Sequence, residues 1–333
     1  MVYDCFSFYN EVDLLEIRLN VLWDVVDKFV FTEATLTHTG NPKPLYFDEH
    51  RDRFAKYASK LVRIVVDDFP QPPAHYSARD ITWMNEDWQR NAVKRALKDA
   101  KPDDLVMISD VDEIPTPEAV KKCLSLDGVT VFEQLFTNYY VNFVSYTTPI
   151  WTGTKAAKFK VFNDRQTYAK MKPDPHVDEF TNRGATASRL RHVKADNRIK
   201  HAGWHFSYLG GAKAIVAKVQ SIAQEYRNEN NTSEAWVTKV VEDGLDVCGC
   251  GRRFFAVPLD ERFPAYLREN VVRYSHLVLT PDADYYHRTK WERRKYFLRG
   301  WVRRNGARLI PRLFKQFLYD KVYCKLVSEP IVI

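Results

Sequence analysis

Three acids fall within four positions of one another, at Asp110, Asp112 and Glu113. They sit in LVMISDVDEIP, residues 105–115, behind four apolar residues and one serine. Carboxylates one residue apart point to the same side of an extended segment. Asp110 and Asp112 therefore suit a hard divalent cation, Mn²⁺ or Mg²⁺, with diphosphate oxygens completing the shell. The competing reading is a solvated acidic turn, or caps for a helix that starts near Thr116. The run Leu105-Val106-Met107-Ile108 reads as a short strand buried on both faces. An acidic loop at the carboxyl end of such a strand lies where open α/β sheets bind ligands. Pro115 and Pro117 are expected to hold it as a loop.

The elements that must position these acids follow from the pattern of the first hundred residues. Strands are expected at 2–8, 28–32 (ending at Glu33), 61–66 and 105–109. Helices are expected at 12–27, with a stripe of Leu15, Leu19, Leu22 and Val26, and at 48–60 and 81–100. The proline-bearing stretches 35–44 and 67–77 read as loops. Four strand–helix alternations give an α/β fold, a Rossmann-like, mostly parallel sheet flanked by helices and closed by right-handed crossovers. No glycine-rich phosphate loop accompanies it, so a nucleotide bound here would depend on metal and side chains.

Farther along, residues 129–162 are strand-like and aromatic. Tyr139, Tyr140, Tyr146 and Trp151 are candidates for stacking on sugar rings, although core or edge-strand roles account for most such residues. Residues 166–200 are polar, without periodicity, and read as a mobile loop. AGWHFS, residues 202–207, is a compact strand bearing His205, and Gly210-Gly211 opens a helix over 212–226. A lone histidine among aromatics is ordinarily a core residue. The run Cys248-Gly249-Cys250-Gly251 lacks the second pair a zinc site needs and reads as a turn.

The chain has 333 residues, 45% hydrophobic and 14% aromatic, enough for a full core. No stretch has the length of a transmembrane helix. Residues 2–6 resemble a first strand rather than a leader. Five cysteines, an odd number, suggest no disulfide framework, so reduced thiols and a cytoplasmic setting are expected. The charge is lopsided: residues 288–315 hold eleven Lys or Arg and one acid, a local +10 in a chain of net +7. From 288 to 318 basic and apolar residues interleave, as in an amphipathic helix. This basic helical tail, 287–333, would dock on an anionic membrane surface, peripherally on its inner face, or pack on the body with its basic side solvated. The body, 1–286, divides into halves of about 1–128 and about 129–286.

Four stretches together resemble glycosyltransferase family 17. They are FSFYNEVDLLEIRLNVLWDVVDKFVFTEATLTHTGNPKPLYF (6–47), ISDVDEIP (108–115), AGWHFSYLGG (202–211) and LRENVVRYSHL (267–277). The resemblance implies a GT-A fold and a metal-dependent, inverting transfer from a UDP-sugar, usually UDP-N-acetylglucosamine, with Mn²⁺. The acceptor is expected to be a glycan or lipid-linked glycan, which the resemblance assigns to the half at about 129–286, with the nucleotide on the half at about 1–128. Family 17's acidic motif falls on Asp110 and Asp112. Asp112 is the expected direct metal ligand; Asp110 touches ribose or metal through water. A late-strand histidine often completes the shell in the wider fold, which brings His205 forward as the third metal candidate. Ser7, Asn10, Glu11 and Glu33 lie at the nucleotide end of the sheet. Arg90, on the helix before the fourth strand, resembles an arginine placed near the diphosphate, where it would make charge-assisted hydrogen bonds; an exposed helical arginine is the alternative.

Inversion needs a general base to deprotonate the acceptor hydroxyl. Glu225 is chosen narrowly over Asp178, with Glu179 and Glu133 as further acids. An inactive carbohydrate- or nucleotide-binding relative remains an alternative. A nucleic-acid binder led by the tail is another, but the basic charge is confined to one segment and no nucleic-acid motif occurs, so no nucleic acid is expected as a partner.

Overall fold

The computed structural model describes residues 1–145, 148–169, 186–221, 232–248 and 252–281. Four parallel strands form its frame: β1 (Val2–Phe8), β2 (Lys28–Ala34), β3 (Leu61–Val66) and β4 (Leu105–Asp110). They lie in the order β4-β1-β2-β3, each pair parallel. Further on come β5 (Glu113–Pro115), β6 (Thr130–Phe132), β7 (Gln134–Asn138) and β8 (Phe143–Ser145). Then follow β9 (Ile150–Trp151), β10 (Lys155–Lys158), β11 (Asn197–Ile199), β12 (Gly203–Ser207) and β13 (Phe254–Ala256).

Among the described residues, a seven-stranded sheet runs β11-β6-β10-β4-β1-β2-β3. Only β10 opposes its neighbours. The expected α/β class with a mostly parallel sheet is thus present. Alternate residues of β4 feed opposite cores: Leu105 and Met107 pack on one side, Val106 and Ile108 on the other. Burial on both faces explains the unbroken apolar run.

The chain leaves this sheet at Asp110 and enters a second one three residues later. β5 is the edge of a six-stranded sheet ordered β13-β8-β7-β12-β5, with β9 on β7. The expected proline-held loop at 113–115 is therefore a strand, and Asp112 lies in the crossing between two sheets. A proline suits an edge strand, because its missing N–H costs no ladder bond there. β5 pairs antiparallel with β12, Gly203 opposite Pro115 and His205 opposite Glu113. A Cβ on Gly203 would stand 2.1 Å from the Ile114 carbonyl oxygen, so glycine is required for this close approach.

Several boundaries differ from expectation. The first helix, Val12–Leu22, stops before 27, and Lys60 Nζ donates to the freed carbonyls of Trp23 and Val26. The expected helix 48–60 is broken into Tyr46–Glu49, Arg51–Phe54 and a 3-10 turn, with His50 outside helical geometry. The long helix is Ala78–Asn91, started by a Ser77–Asp80 capping box. Residues 186–200, expected as loop, hold the helix Ala187–His192 and β11. The helix after β12 is Gly211–Ser221, and residues 222–226 lie outside the described ones. No helix among the described residues is long and apolar enough to cross a membrane. Cys5, Cys123 and Cys248 are free thiols.

Candidate functional site

The acidic crossing is anchored from below by one arginine. Arg18 of the helix Val12–Leu22 is fully buried. It grips Asp4 of β1 with two hydrogen bonds of 2.7 and 2.6 Å and donates to Ser109 Oγ at 2.6 Å. It also donates to the carbonyls of Asp110 and Glu113 at 3.0 and 2.8 Å. One guanidinium thus ties the backbone of the crossing to β1, and its planar fork makes several such bonds at once.

Above it, the two aspartates have different surroundings. Asp110 accepts from Arg90 Nη2 at 3.1 Å and from Arg191 Nη2 at 3.0 Å. Burial pushes its carboxyl upward, but Arg191 and Arg90 outweigh burial and hold it at about 2. Arg191 is itself gripped by buried Glu113, at 2.6 and 2.9 Å, and Glu113 also accepts the Trp151 indole N–H at 2.6 Å. Arg90 also holds Glu86 at 2.6 Å.

Asp112 is buried and meets Lys218 Nζ at 3.1 Å through Oδ2. Its other oxygen, Oδ1, has no hydrogen-bond partner and stands 3.5 Å from His205 Nε2. That separation is too long for a good hydrogen bond. His205 Nδ1 is buried and unpartnered as well. The imidazole packs against two rings on one side, 4.5 Å from Trp151 and 5.1 Å from Phe136, which touch each other at 5.7 Å. Burial raises the Asp112 carboxyl, and Lys218 and His205 more than offset it, keeping it ionised far below the usual carboxylate range.

A buried, ionised oxygen without a partner beside an unused imidazole is a donor set that fits a divalent cation. Asp112 and His205 would supply two positions. Among the described residues no third His, Cys, Asp or Glu joins them, so further ligands would come from substrate oxygens and water. Asp110, expected in the same shell, turns both oxygens to arginines instead.

The remaining candidates scatter. Glu11 joins the site through Lys218, 3.3 Å away, and its other oxygen accepts the Tyr9 N–H. Ser7 lies opposite Asp110 in the β1–β4 register. Asn10 is exposed at the same turn. Glu33 is buried away from Asp110: Phe47 N donates to it, Arg63 lies 2.7 Å off, and burial raises its carboxyl. Tyr139 is core, as expected of most aromatics there. Glu225, Asp178, Glu179, Tyr146 and the tail 287–333 lie outside the described residues. Glu133 pairs with Arg198 at 2.7 Å.

Arg18, Arg191 and Lys218 were not foreseen. Arg191 carried no signal in a stretch without periodicity. Lys218 stands three residues after buried Ile215, on the inward stripe of its helix, where a charge is unusual enough to have marked it.

Fold and site together define an α/β protein whose charged cluster lies at the carboxyl ends of parallel strands, the ligand-binding end of such sheets. The chain belongs to glycosyltransferase family 17, whose profile matches residues 1–177. It is 33% identical over 309 residues to the human beta-1,4-mannosyl-glycoprotein 4-beta-N-acetylglucosaminyltransferase, covering 85% of this chain and 56% of that one. The rat enzyme of that name is 33% identical over 309 residues, with 85% and 55% covered. The chain spans about half the length of these curated relatives. Among solved structures, the mannosyltransferase PcManGT from Pyrobaculum calidifontis, in complex with GDP-Man and Mn²⁺, is similar at a TM-score of 0.35 and 12% identity, covering 98% of this chain and 83% of that one. M. tuberculosis glucosyl-3-phosphoglycerate synthase is similar at 0.28 and 13%, with 80% and 92% covered.

Proposed function

We propose that this chain is an inverting, metal-dependent glycosyltransferase. It moves a sugar, N-acetylglucosamine first among candidates, from a UDP-sugar to a glycan or lipid-linked glycan. The observation that carries the reading is the unpartnered, ionised Oδ1 of Asp112 facing His205 in a family 17 chain. Half of each named N-acetylglucosaminyltransferase aligns here, which supports transfer of that sugar.

Asp112 and His205 would hold Mn²⁺ or Mg²⁺, which would supply Lewis-acid stabilisation of the leaving diphosphate. The protein's own groups do the rest. The contacts of His205 with Trp151 and Phe136 hold its ring in place. Arg90 and Arg191 keep Asp110 ionised and oriented at the end of β4, available to a ribose hydroxyl. Arg18 holds the crossing rigid, so the carboxylates need no reorganisation when charge develops on the leaving group. Acceptor deprotonation stays with Glu225 or Asp178 as candidates. The basic segment 288–318 would bring the enzyme to an anionic membrane carrying a lipid-linked acceptor; equal liposome flotation with and without residues after 286 would refute that part.

Calorimetric titration of UDP-N-acetylglucosamine with Mn²⁺ and with EDTA, on wild type and Asp112→Ala, tests the core of the reading. Metal-dependent binding that the substitution abolishes is the expected result. Binding to other UDP-sugars alone would change the donor. No nucleotide binding under any condition would overturn the proposal.

A further inference from the structure

Lys218 already holds one oxygen of Asp112, beside the open oxygen where a cation would bind. Its ammonium lies 3.1 Å from Asp112 Oδ2 and 3.3 Å from Glu11 Oε1. Its side chain is 19% exposed, against 6% for Asp112 and 16% for Glu11. It stands 5.6 Å from the face of Tyr208, whose ring backs it. The helix that carries it is tied down at its end: His38 N donates to the Ser221 carbonyl at 3.0 Å, and Ser221 Oγ meets Tyr9 OH at 3.2 Å. The ammonium is therefore delivered by a fixed scaffold to the point where the first strand–helix turn meets the acidic crossing.

We propose that Lys218 is an internal counter-cation, which guards Asp112 against free metal and moves to the donor's diphosphate when metal and nucleotide bind together. The inference rests on the reading of Asp112 as a metal ligand. Two largely buried acids face each other across Lys218, so without it the pair would repel. A divalent ion on Asp112 places new positive charge beside the ammonium, and like charges at such range oppose each other strongly when partly desolvated. The ammonium then needs another anion within reach of its flexible stem, and a diphosphate at the carboxyl ends of β1 and β4 supplies one. Metal alone is thereby held off, and metal with nucleotide is favoured. This is a coupling between two ligands through one side chain, and it must act reciprocally.

The test is Mn²⁺ titration followed by electron paramagnetic resonance of free Mn²⁺, on the full chain, with and without UDP. Wild type, Lys218→Met, Lys218→Gln and Asp112→Asn are compared, with circular dichroism and melting to confirm folding. For wild type, weak Mn²⁺ binding that UDP tightens is expected. Both Lys218 variants should bind Mn²⁺ alone about tenfold tighter and lose about tenfold of the UDP-dependent enhancement. Folded Lys218 variants that bind Mn²⁺ alone as wild type does would overturn the inference while leaving the metal site intact. Looser Mn²⁺ binding in them would overturn it too, by making Lys218 a support for the site. Wild-type binding identical to that of Asp112→Asn would instead sink the metal reading itself, and this inference with it.

Discussion

At Asp110 both carboxylate oxygens are spoken for, by Arg90 at 3.1 Å and Arg191 at 3.0 Å. Two residues on, Asp112 has one oxygen on Lys218 and the other facing an imidazole with no hydrogen bond. The residue type is the same and the backbone crossing is shared, yet one acid has both oxygens on arginines and the other has one oxygen without a hydrogen bond. The difference comes from which sheet supplies the neighbours. Asp110 ends β4 and is met by arginines from two helices behind the large sheet. Asp112 hangs over the second sheet, where β12 brings His205. An acid pair in sequence is thus, in space, one carboxylate held by two arginines and one with an unpartnered oxygen.

Substituting Asp112 tests the open member and should have the largest effect. Asp112→Asn is expected to lower transfer on the order of 10³-fold, the scale of losing a main electrostatic contact in a transition state, as measured by initial rates with UDP-N-acetylglucosamine. Rates near wild type would erase the distinction between the two acids. The shared support comes next. Arg18→Met leaves Asp4 buried without its partner, and urea denaturation should report a loss of about 3–5 kcal/mol. A loss under about 1 kcal/mol would mean the crossing does not depend on that clamp. Asp110→Asn then sharpens the contrast, since Mn²⁺ affinity in the presence of UDP should stay within about fivefold of wild type. A collapse as large as that of Asp112→Asn would make Asp110 a ligand after all.

The smallest effect near neutrality concerns pH. Asp110 is held at about 2 in the fold and Asp112 also lies below the usual range. Below pH of about 4 the unfolded chain therefore binds more protons than the native one. The stability these acids contribute is present above pH of about 4 and is lost as pH falls toward 2. Urea midpoints should be level from pH 7 to 5 through this pair and decline below 4; a decline already complete by pH 5 would contradict the low carboxyl values.

The four-stranded parallel frame was legible because each strand is an apolar run bounded by loops, whereas β11 of the same sheet, three residues in a polar stretch, was not. Leu105 to Ile108 is the clearest case: its alternate residues serve two cores. The second sheet was far less so. β5 and β13 have three residues each and β9 two, too few for a period to register. Their pairings join segments such as 113–115 and 203–205, which no local pattern links. Helix ends were misjudged for a related reason. The helix Val12–Leu22 stops just before the turn whose Trp23 and Val26 carbonyls Lys60, from a distant segment, takes.

The sequence by itself determined the family, the parallel frame and the place of the acids at the end of β4, because apolar runs and a continuous motif are properties of neighbouring residues. It also brought forward His205 and Arg90. Only the tertiary structure decided which acid each of them meets, and that Arg18, Arg191 and Lys218 belong beside them. An ionised side chain takes its role from the charges within a few ångströms, and here those charges come from residues 20 to 106 positions away in the chain.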